Sequence, residues 1–456
     1  MTGKAARVGL LLLCSLSISW AWGERLEELL SQLLNIQQEG LQAKGRVTVR
    51  SLSPPHVEIQ LDEATGEGPR LVRLLSRWMQ LPPEMSQDFP IKQMTLHQTL
   101  MIYKAGGWTM ESQRLSIPEG EFKNLSYAKS PEGTWQLSVR QADLQRIPAW
   151  PGVPQLGEVH GERLSASGDE KSLRWELKSW RGGGMQLEQG SGSYNGSAPT
   201  PLLPWSGRAN KVVVDLAPLW SWTSELPQVV KFRQDISHML GVDTLRPSGR
   251  LLLQNPDFQG GYEPVRQQVG DLKGKGALSL ADEGITLLAA GAGKEEKIRI
   301  TTLKGQLRGE GEGLGLEQAR LFLTSGGGTG QLTGTFSSRL EKSRFDSTFD
   351  ALMLAGWQLD GQLGWQPGSK KPLQLTLNGP KGQSVVMVGE STPWSWQKMA
   401  GIDFNLSRLE VKGIPKGENT LLKEIPLFRQ SVPLRIRARQ ATFDRKVVAD
   451  YQLTSR

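Results

Sequence analysis

The sequence has 456 residues, and its 54 lysines and arginines against 46 aspartates and glutamates give a formal net charge of +8. Apolar residues make up 38% and glycines number 52, a composition that indicates a folded, turn-rich chain and excludes an intrinsically disordered one. The length suffices for two or three domains. The sole cysteine, Cys14, lies in a predicted leader, so we expect no disulfide, cysteine zinc site or cysteine nucleophile in the mature chain.

The first 23 residues have the pattern of an export signal. Lys4 and Arg7 precede an apolar run from Val8 to Trp22, and small residues stand three and one positions before a cleavage point at Glu24. The run is about 15 residues long, whereas a spanning helix needs about 20. We therefore predict a signal peptide over 1–23, with a short inner-membrane anchor as the alternative, and export of the rest to the periplasm or cell envelope.

Three segments have helical periodicity. Leucines spaced three and four apart predict an amphipathic helix over Glu24–Gln42. A second, shorter helix is predicted over Pro69–Leu81, and a third over Leu219–Leu240 with a break at Pro227. We expect these helices to pack on a sheet or to plug its ends, although the first has the alternative of lying on a membrane surface.

Alternation with the period of a β-strand recurs along the rest of the chain. The clearest runs are Trp135, Leu137 and Val139; Leu173, Trp175 and Leu177; Trp357, Leu359, Leu363 and Trp365; Leu373, Leu375 and Leu377; Ile402, Phe404 and Leu406; and Leu434, Ile436 and Ala438. Because so few helices can cover the apolar face, the sheet must curl over itself. The prediction is a mainly β fold: a long, curved antiparallel sheet, an open groove or a rolled barrel-like layer, with a few short amphipathic helices.

A glycine-rich stretch, "LTSGGGTGQLTGTF" (Leu323–Phe336), raises the question of phosphate binding. A phosphate loop requires a following helix and a Lys-Ser or Lys-Thr pair. Neither is present, because Phe345, Ser347 and Phe349 alternate as in a strand. The glycines therefore predict sheet curvature or close approach of neighbouring groups, and no nucleotide site.

A proline-rich segment, 197–207, is predicted to be a linker between a helix-plus-β region (24–196) and a second β-rich region (208–456). Both regions contain an alternating strand, a glycine triplet and a second glycine-spaced strand. This similarity indicates an internal repeat.

Signals of enzymatic chemistry are missing from the sequence. The four histidines are isolated, no nucleophile elbow occurs, and the 15 tryptophans are more typical of core packing or interfacial anchoring than of sugar binding. Basic residues alternate along strands, as at Arg435, Arg437 and Arg439, which favours a solvated face over a nucleic-acid interface. We predict no catalytic, metal or cofactor site and no nucleic-acid partner, while anionic lipid headgroups stay a reasonable counter-charge.

The segment from about 210 to 340 resembles the layout of AsmA-like proteins, the bacterial group that includes AsmA and TamB. The matching positions are Asp215, Leu216, Pro218 and Leu219; Ser248, Gly249 and Leu251; and Gly274, Gly276, Leu278, Leu280, Asp282, Gly284 and Ile285. The helix before a first strand at "GRVTV" is similar too. The resemblance implies a curved β-groove with an apolar interior, set in the bacterial envelope, that moves or holds phospholipids.

An acyl chain in water needs a continuous apolar lining. The inward residues expected to supply it are Trp357, Leu359, Leu363, Trp365, Leu373, Leu375, Leu377, Phe404 and Leu406, which would serve a closed core equally well. Two other functions stay open: an envelope assembly or secretion accessory factor that pairs strands with a partner protein, and, third, a carbohydrate-active enzyme.

Overall fold

The computed structural model describes residues 41–52, 54–67, 93–146, 157–169, 171–197, 203–222, 244–263, 268–282, 284–291, 294–311, 313–325, 328–341, 344–354, 356–365, 369–396, 399–414 and 434–454. The predicted leader and the first two predicted helices lie outside these ranges. Of the third, the structure describes helix α1 (Leu216–Trp222), which begins three residues earlier than predicted. No described helix is long and apolar enough to cross a bilayer.

The described residues form 25 strands that belong to one hydrogen-bonded sheet, which confirms the predicted mainly β, mostly antiparallel fold. The strands are β1 (Leu41–Leu52), β2 (Pro55–Glu67), β3 (Gln93–Lys104), β4 (Gly107–Ile117), β5 (Gly120–Lys129), β6 (Trp135–Leu144), β7 (Val159–Gly168), β8 (Ser172–Gly182), β9 (Met185–Asn195), β10 (Leu203–Arg208), β11 (Lys211–Asp215), β12 (Thr244–Ser248), β13 (Arg250–Glu263), β14 (Gln268–Leu280), β15 (Ile285–Gly291), β16 (Lys294–Gly311), β17 (Gly313–Ser325), β18 (Gly328–Glu341), β19 (Arg344–Leu354), β20 (Trp357–Trp365), β21 (Lys371–Asn378), β22 (Ser384–Trp396), β23 (Met399–Lys412), β24 (Leu434–Phe443) and β25 (Lys446–Thr454).

The chain divides into two compact units, residues 1–183 with 188–197 and residues 184–187 with 198–456. Of the segment predicted as a linker, residues 203–207 lie in strand β10, which pairs with β13 over its whole length. Of the two glycine triplets behind the suggested repeat, the first, 182–184, connects β8 to β9. Of the second, 326–328, the structure describes Gly328, the first residue of β18.

In the first unit, strands β1 to β8 pair with their sequence neighbours in an antiparallel meander. The register aligns apolar side chains across the strands. One such row is Val47, Ile59, Met101, Met110, Tyr127 and Leu137. Fifteen side chains, Met101 and Leu96 among the most buried, form the core of this unit on that face.

The first unit bends along one line. On this line, each of the strands β2 to β7 has one residue that pairs with no residue of the neighbouring strands. These residues are polar and exposed: Asp62, Gln98, Gln113, Asn124, Arg140 and Arg163. In β3, the inward positions are therefore Met94 and Leu96 before the bend and Thr99 and Met101 after it. Because the phase shifts at the same place in neighbouring strands, the apolar residues stay on one face.

In the second unit, β13, β14, β16 and the strands from β17 to β23 follow one another in antiparallel pairs. The long strand β16 pairs with β15 through its first half and with β14 through its second half. The simple antiparallel meander expected from the sequence is broken where β14 pairs with β16, where β12 pairs with β15, and where β24 pairs with β23 in parallel. A parallel pair needs a crossover connection, and the 21 residues between these strands provide its length.

The glycine-rich stretch at Leu323–Phe336 belongs to two paired strands. Its first residues end β17 and its last belong to β18, with Leu323 opposite Leu332 and Ser325 opposite Gly328. A strand follows the glycines where a phosphate loop would need a helix.

Candidate functional site: the apolar face of the second unit

The nine side chains predicted to line a lipid groove lie on three strands, β20, β21 and β23. The register brings β20 and β21 residues together in cross-strand pairs, Leu359 with Leu377 and Leu363 with Leu373. Leu406 is joined to this row through Gly389, which faces both it and Leu373. The sequence therefore placed these residues on a common face correctly.

Seven of the nine side chains are almost inaccessible to solvent, with exposed fractions between 1% and 5%. These are Trp357, Leu359, Leu373, Leu375, Leu377, Phe404 and Leu406. Leu363 is partly buried against the same cluster, and the Trp365 side chain lies outside the described set. The cluster extends through β22 and β24 to Leu453 on β25. In this structure these residues pack against one another.

Glycines allow the backbones of this cluster to come close together. A Cβ on Gly361 would meet the carbonyl oxygen of Gln374 at 2.0 Å, and one on Gly389 would meet that of Asn405 at 2.3 Å. No side chain fits at either position. The buried hydroxyl of Ser391 donates to the carbonyl of Gly364, so this polar group is satisfied within the core.

The same face continues toward the middle of the chain, but there its apolar side chains are only half-buried. Leu253 faces Leu278 across β13 and β14, and Leu307 faces Leu316 across β16 and β17. Among the side chains described from 250 to 341, the fully buried apolar ones are Pro256, Ile285 and Ala319. We call the half-buried set the leucine face; it consists of Leu253, Leu278, Leu303, Leu307 and Leu316.

Glycines alternate with leucines across the leucine face. A Cβ on Gly276 would lie 3.1 Å from Leu253 Cδ1, and one on Gly305 would lie 2.9 Å from Leu316 Cδ1. These leucine side chains therefore cover the neighbouring glycines, and the face stays apolar. Gly276 was predicted from the sequence as a motif residue, whereas the leucines opposite it were not predicted to belong to a site. The signal was available, since glycine and leucine alternate in "GDLKGKGAL" and "LKGQLRGEG".

The motif residues behind the AsmA-like resemblance have structural roles in this unit. Asp215 accepts a hydrogen bond from the Ala217 N–H at 3.3 Å and so caps α1. Gly249 has φ +105°, and a Cβ there would meet the Gly284 carbonyl oxygen at 2.5 Å. The guanidinium of Arg250 donates to both carboxylate oxygens of Asp282, and this bond lowers the pKa of Asp282.

No group of three or more His, Asp or Glu side chains in the described part of the chain is arranged to hold a metal. His56 lies 3.3 Å from Glu58, and His160 contacts Asp143 and Glu158, both on the exposed surface of the first unit. Burial raises the pKa of Tyr127, beside the first core, to about 12. His238 lies outside the described residues.

Comparisons of the chain with protein-family models, with curated proteins and with solved structures find no match. The features that bear on function are therefore the leucine face, the buried cluster beside it and the charges on the opposite side of the sheet.

Proposed function

We propose that this chain is a non-enzymatic protein of the bacterial envelope that binds or transfers phospholipid through the apolar face of its second unit. The observation that carries the proposal is the leucine face. Soluble proteins rarely leave a contiguous apolar surface of more than a few hundred Å² uncovered unless something binds there. The predicted leader and the AsmA-like pattern of residues 210–340 support the envelope setting.

The chemistry of an acyl chain suits such a surface. Each CH₂ group moved from water into apolar surroundings contributes about 0.8 kcal/mol. The leucine face offers no buried charge that would have to be desolvated, and leucine side chains cover its glycines. Binding of this kind needs no covalent step, so no catalytic residue is invoked.

The nine residues first expected to line the groove take a second role in this proposal. Since seven of them are 5% exposed or less, they form the closed end of the apolar face, and the leucine face is where the acyl chain enters. Access therefore decreases from β16 toward β21. The two sets should respond differently to an inserted charge.

The experiment is mass spectrometry of organic extracts from the full chain purified from its periplasm. We expect phospholipid near one equivalent in the wild type and a loss of most of it in the Leu307→Glu/Leu316→Glu variant, which should still fold because both side chains are half-buried. The matched control is Thr348→Glu/Gln362→Glu, which adds two carboxylates at exposed positions of β19 and β20. This control should keep its lipid.

A wild-type protein that is free of lipid and monodisperse would overturn the proposal. So would a folded Leu307→Glu/Leu316→Glu variant that retains as much phospholipid as the control. Circular dichroism of both variants establishes folding before the extracts are compared.

The second candidate function is assembly through strand pairing. Among the described strands, β25 pairs with β24 alone, and its Val447 side chain is 62% exposed. An unpaired edge strand is a template for a strand of a partner protein. If this function holds, a stoichiometric partner co-purifies with lipid-free protein, and Val447→Pro, which removes a backbone donor, abolishes that association.

A further inference from the structure

An open cavity of about 790 Å³ lies among β13, β14, β16, β17 and β19 in the second unit. Four of its polar side chains are on the face opposite to Leu278 and Leu307, as strand alternation requires: Ser279, Lys304, Gln306 and Arg320. Leu278 also lines the cavity, which therefore borders the leucine face, while its charged groups lie on the other side of the sheet. Its volume falls within the range of about 300–1,000 Å³ that is typical of small-molecule sites.

Two cations face each other in this cavity. Lys304 is directly opposite Arg320 in the β16–β17 register, and Ser279 is opposite Lys304 on the other side. Like charges at directly opposed positions of an antiparallel pair destabilise a sheet. Nothing in the local strand pairing compensates for this repulsion.

The neighbouring cation on the same strand is neutralised, whereas these two are not. Arg308 Nη1 lies 3.2 Å from Glu317 Oε1 across the same pair of strands. In the part of the chain that the structure describes, no ion pair involves Lys304 or Arg320. Both side chains are exposed, so solvent weakens their repulsion, and an anion bound between them would remove what repulsion is left.

Other groups in the cavity define what the anion must be. Gln254, Gln306 and Gln318 supply amide donors around the two cations. Asp350 also lines the cavity, two strands from Arg320 through Thr335, and leaves the site with a net charge of one positive unit. Its carboxylate opposes a second anionic group and limits how tightly a phosphate binds.

We propose that the cavity lined by Lys304 and Arg320 is a binding site for a phosphate group carried by a small solute or a lipid headgroup. The two cations and the amide groups surround the phosphate oxygens, and the bound anion removes the repulsion between the cations. This site goes beyond the proposed acyl binding and does not depend on it, because its charged groups and the leucine face lie on opposite sides of the sheet.

The test titrates inorganic phosphate into the full chain by calorimetry. Hydrogen bonds to charged groups are strong enough that Lys304→Gln or Arg320→Gln should each weaken binding about tenfold or more. Asp350→Asn should strengthen it a few-fold, since a repulsive charge is removed. Arg437→Gln, which removes an exposed cation of β24 outside the cavity, should leave the affinity unchanged.

Thermal unfolding without phosphate gives an independent readout. Removal of either cation relieves the repulsion, so Lys304→Gln and Arg320→Gln should unfold at a higher temperature than the wild type while they lose phosphate binding. A purely structural pair would show the reverse. No phosphate binding by the wild type, or unchanged binding by both single variants, would overturn the proposal.

A second arm identifies the source of the phosphate. The site is assigned to an anionic headgroup if phosphatidylglycerol vesicles co-sediment with the wild type but not with Lys304→Gln. Phosphatidylcholine vesicles should co-sediment with neither protein. Calorimetric binding without co-sedimentation assigns it to a free phosphorylated solute. If no phospholipid co-purifies with the wild type, both of these outcomes for phosphate binding can still be observed.

Discussion

The surroundings of His160 favour its protonated form. Its Nδ1 lies 3.0 Å from Asp143 Oδ1 and its Nε2 lies 3.0 Å from Glu158 Oε1, while Lys123 Nζ lies 3.6 Å from Asp143. The hydrogen bond to Asp143, and then that to Glu158, raises the pKa of His160 above its ordinary value of 6.5. The bond from His160 likewise lowers the pKa of Asp143.

The direction of the pKa shift fixes the pH dependence. The folded protein holds the proton on His160 more tightly than the unfolded chain does. The contribution of protonated His160 to the free energy of unfolding is therefore complete below pH 6.5 and is lost as the pH rises through the raised pKa. It should remain below about 1 kcal/mol, since exposed ion pairs are screened by solvent. An NMR titration of His160 should give a pKa above 6.5 that returns toward that value in Asp143→Asn. A wild-type value at or below 6.5 would contradict the assignment.

Gly361 is the clearest case of a glycine required by both backbone and space. Its φ is +129°, and an added Cβ would lie 2.0 Å from the Gln374 carbonyl oxygen. Gly361→Ala should reduce the free energy of unfolding by about 3 kcal/mol or more, because strain and overpacking add.

The matched control for this prediction is Gly382→Ala. Gly382 has φ +72° but nothing within 4 Å of an added Cβ, so only the backbone term of about 1–2 kcal/mol applies. Urea unfolding of both variants measures the difference. Equal losses would mean that the close approach to Gln374 relaxes without cost.

At the level of elements, the bend explains why a strict period of two describes only parts of these strands. Thr99 and Ser112 face inward just beyond it and are 1% and 3% exposed. The Thr99 hydroxyl donates a hydrogen bond to the Ser112 hydroxyl at 2.8 Å, and the Ser112 hydroxyl donates to the backbone carbonyl of His97. Small hydroxyl side chains at the bend fill the inner face without an unpaired polar group.

The hairpin between β3 and β4 carries a strained residue that offers another test. Its turn, Ala105-Gly106, has φ +48° and +85°, the two positive values that a type I′ turn needs. Tyr103 and Trp108 pack across it with ring centroids 5.0 Å apart. Alanine is unfavourable in the left-handed region, where glycine is not.

We therefore expect Ala105→Gly to raise the free energy of unfolding by up to about 1 kcal/mol. Ala128→Gly in strand β5, where φ is not positive, should lower it by about 0.5–1 kcal/mol. Denaturant midpoints of the two variants should move in opposite directions. A fall in both would indicate that unfolded-chain entropy outweighs the strain at the turn.

On the scale of the whole molecule, the two units have separate cores. Leu96, 1% exposed, belongs to the first, and Leu375, 2% exposed, belongs to the second. Truncation of either leucine to alanine should cost about 2–5 kcal/mol in its own unit.

Hydrogen exchange measured by mass spectrometry checks this separation. In Leu96→Ala, amides of β3 and β4 should exchange faster while those of β21 and β22 keep their protection, and Leu375→Ala should give the opposite pattern. Uniform loss of protection in either variant would show that the two units unfold together. In the wild type, amides of β21 should be protected longer than those of β16, since the leucine face is half-open.

The sequence by itself determined the strand content, the common face of Leu359, Leu373 and Leu375, and the strand that follows the glycine triplet. These features follow from local alternation and turn chemistry, which each segment carries in its own residues. The predicted linker, ending at Gly207, shows the limit, because its proline and glycine do not prevent β10 from pairing with β13 over its whole length.

Only the tertiary structure decided which apolar residues are sealed and which stay accessible. Leu375 and Leu307 have the same local pattern, yet one is buried and the other half-buried, because burial depends on strands far away in sequence. The parallel pairing of β24 with β23 and the opposition of Lys304 to Arg320 are likewise matters of register. Register is set by long-range pairing, and no single segment encodes its partner.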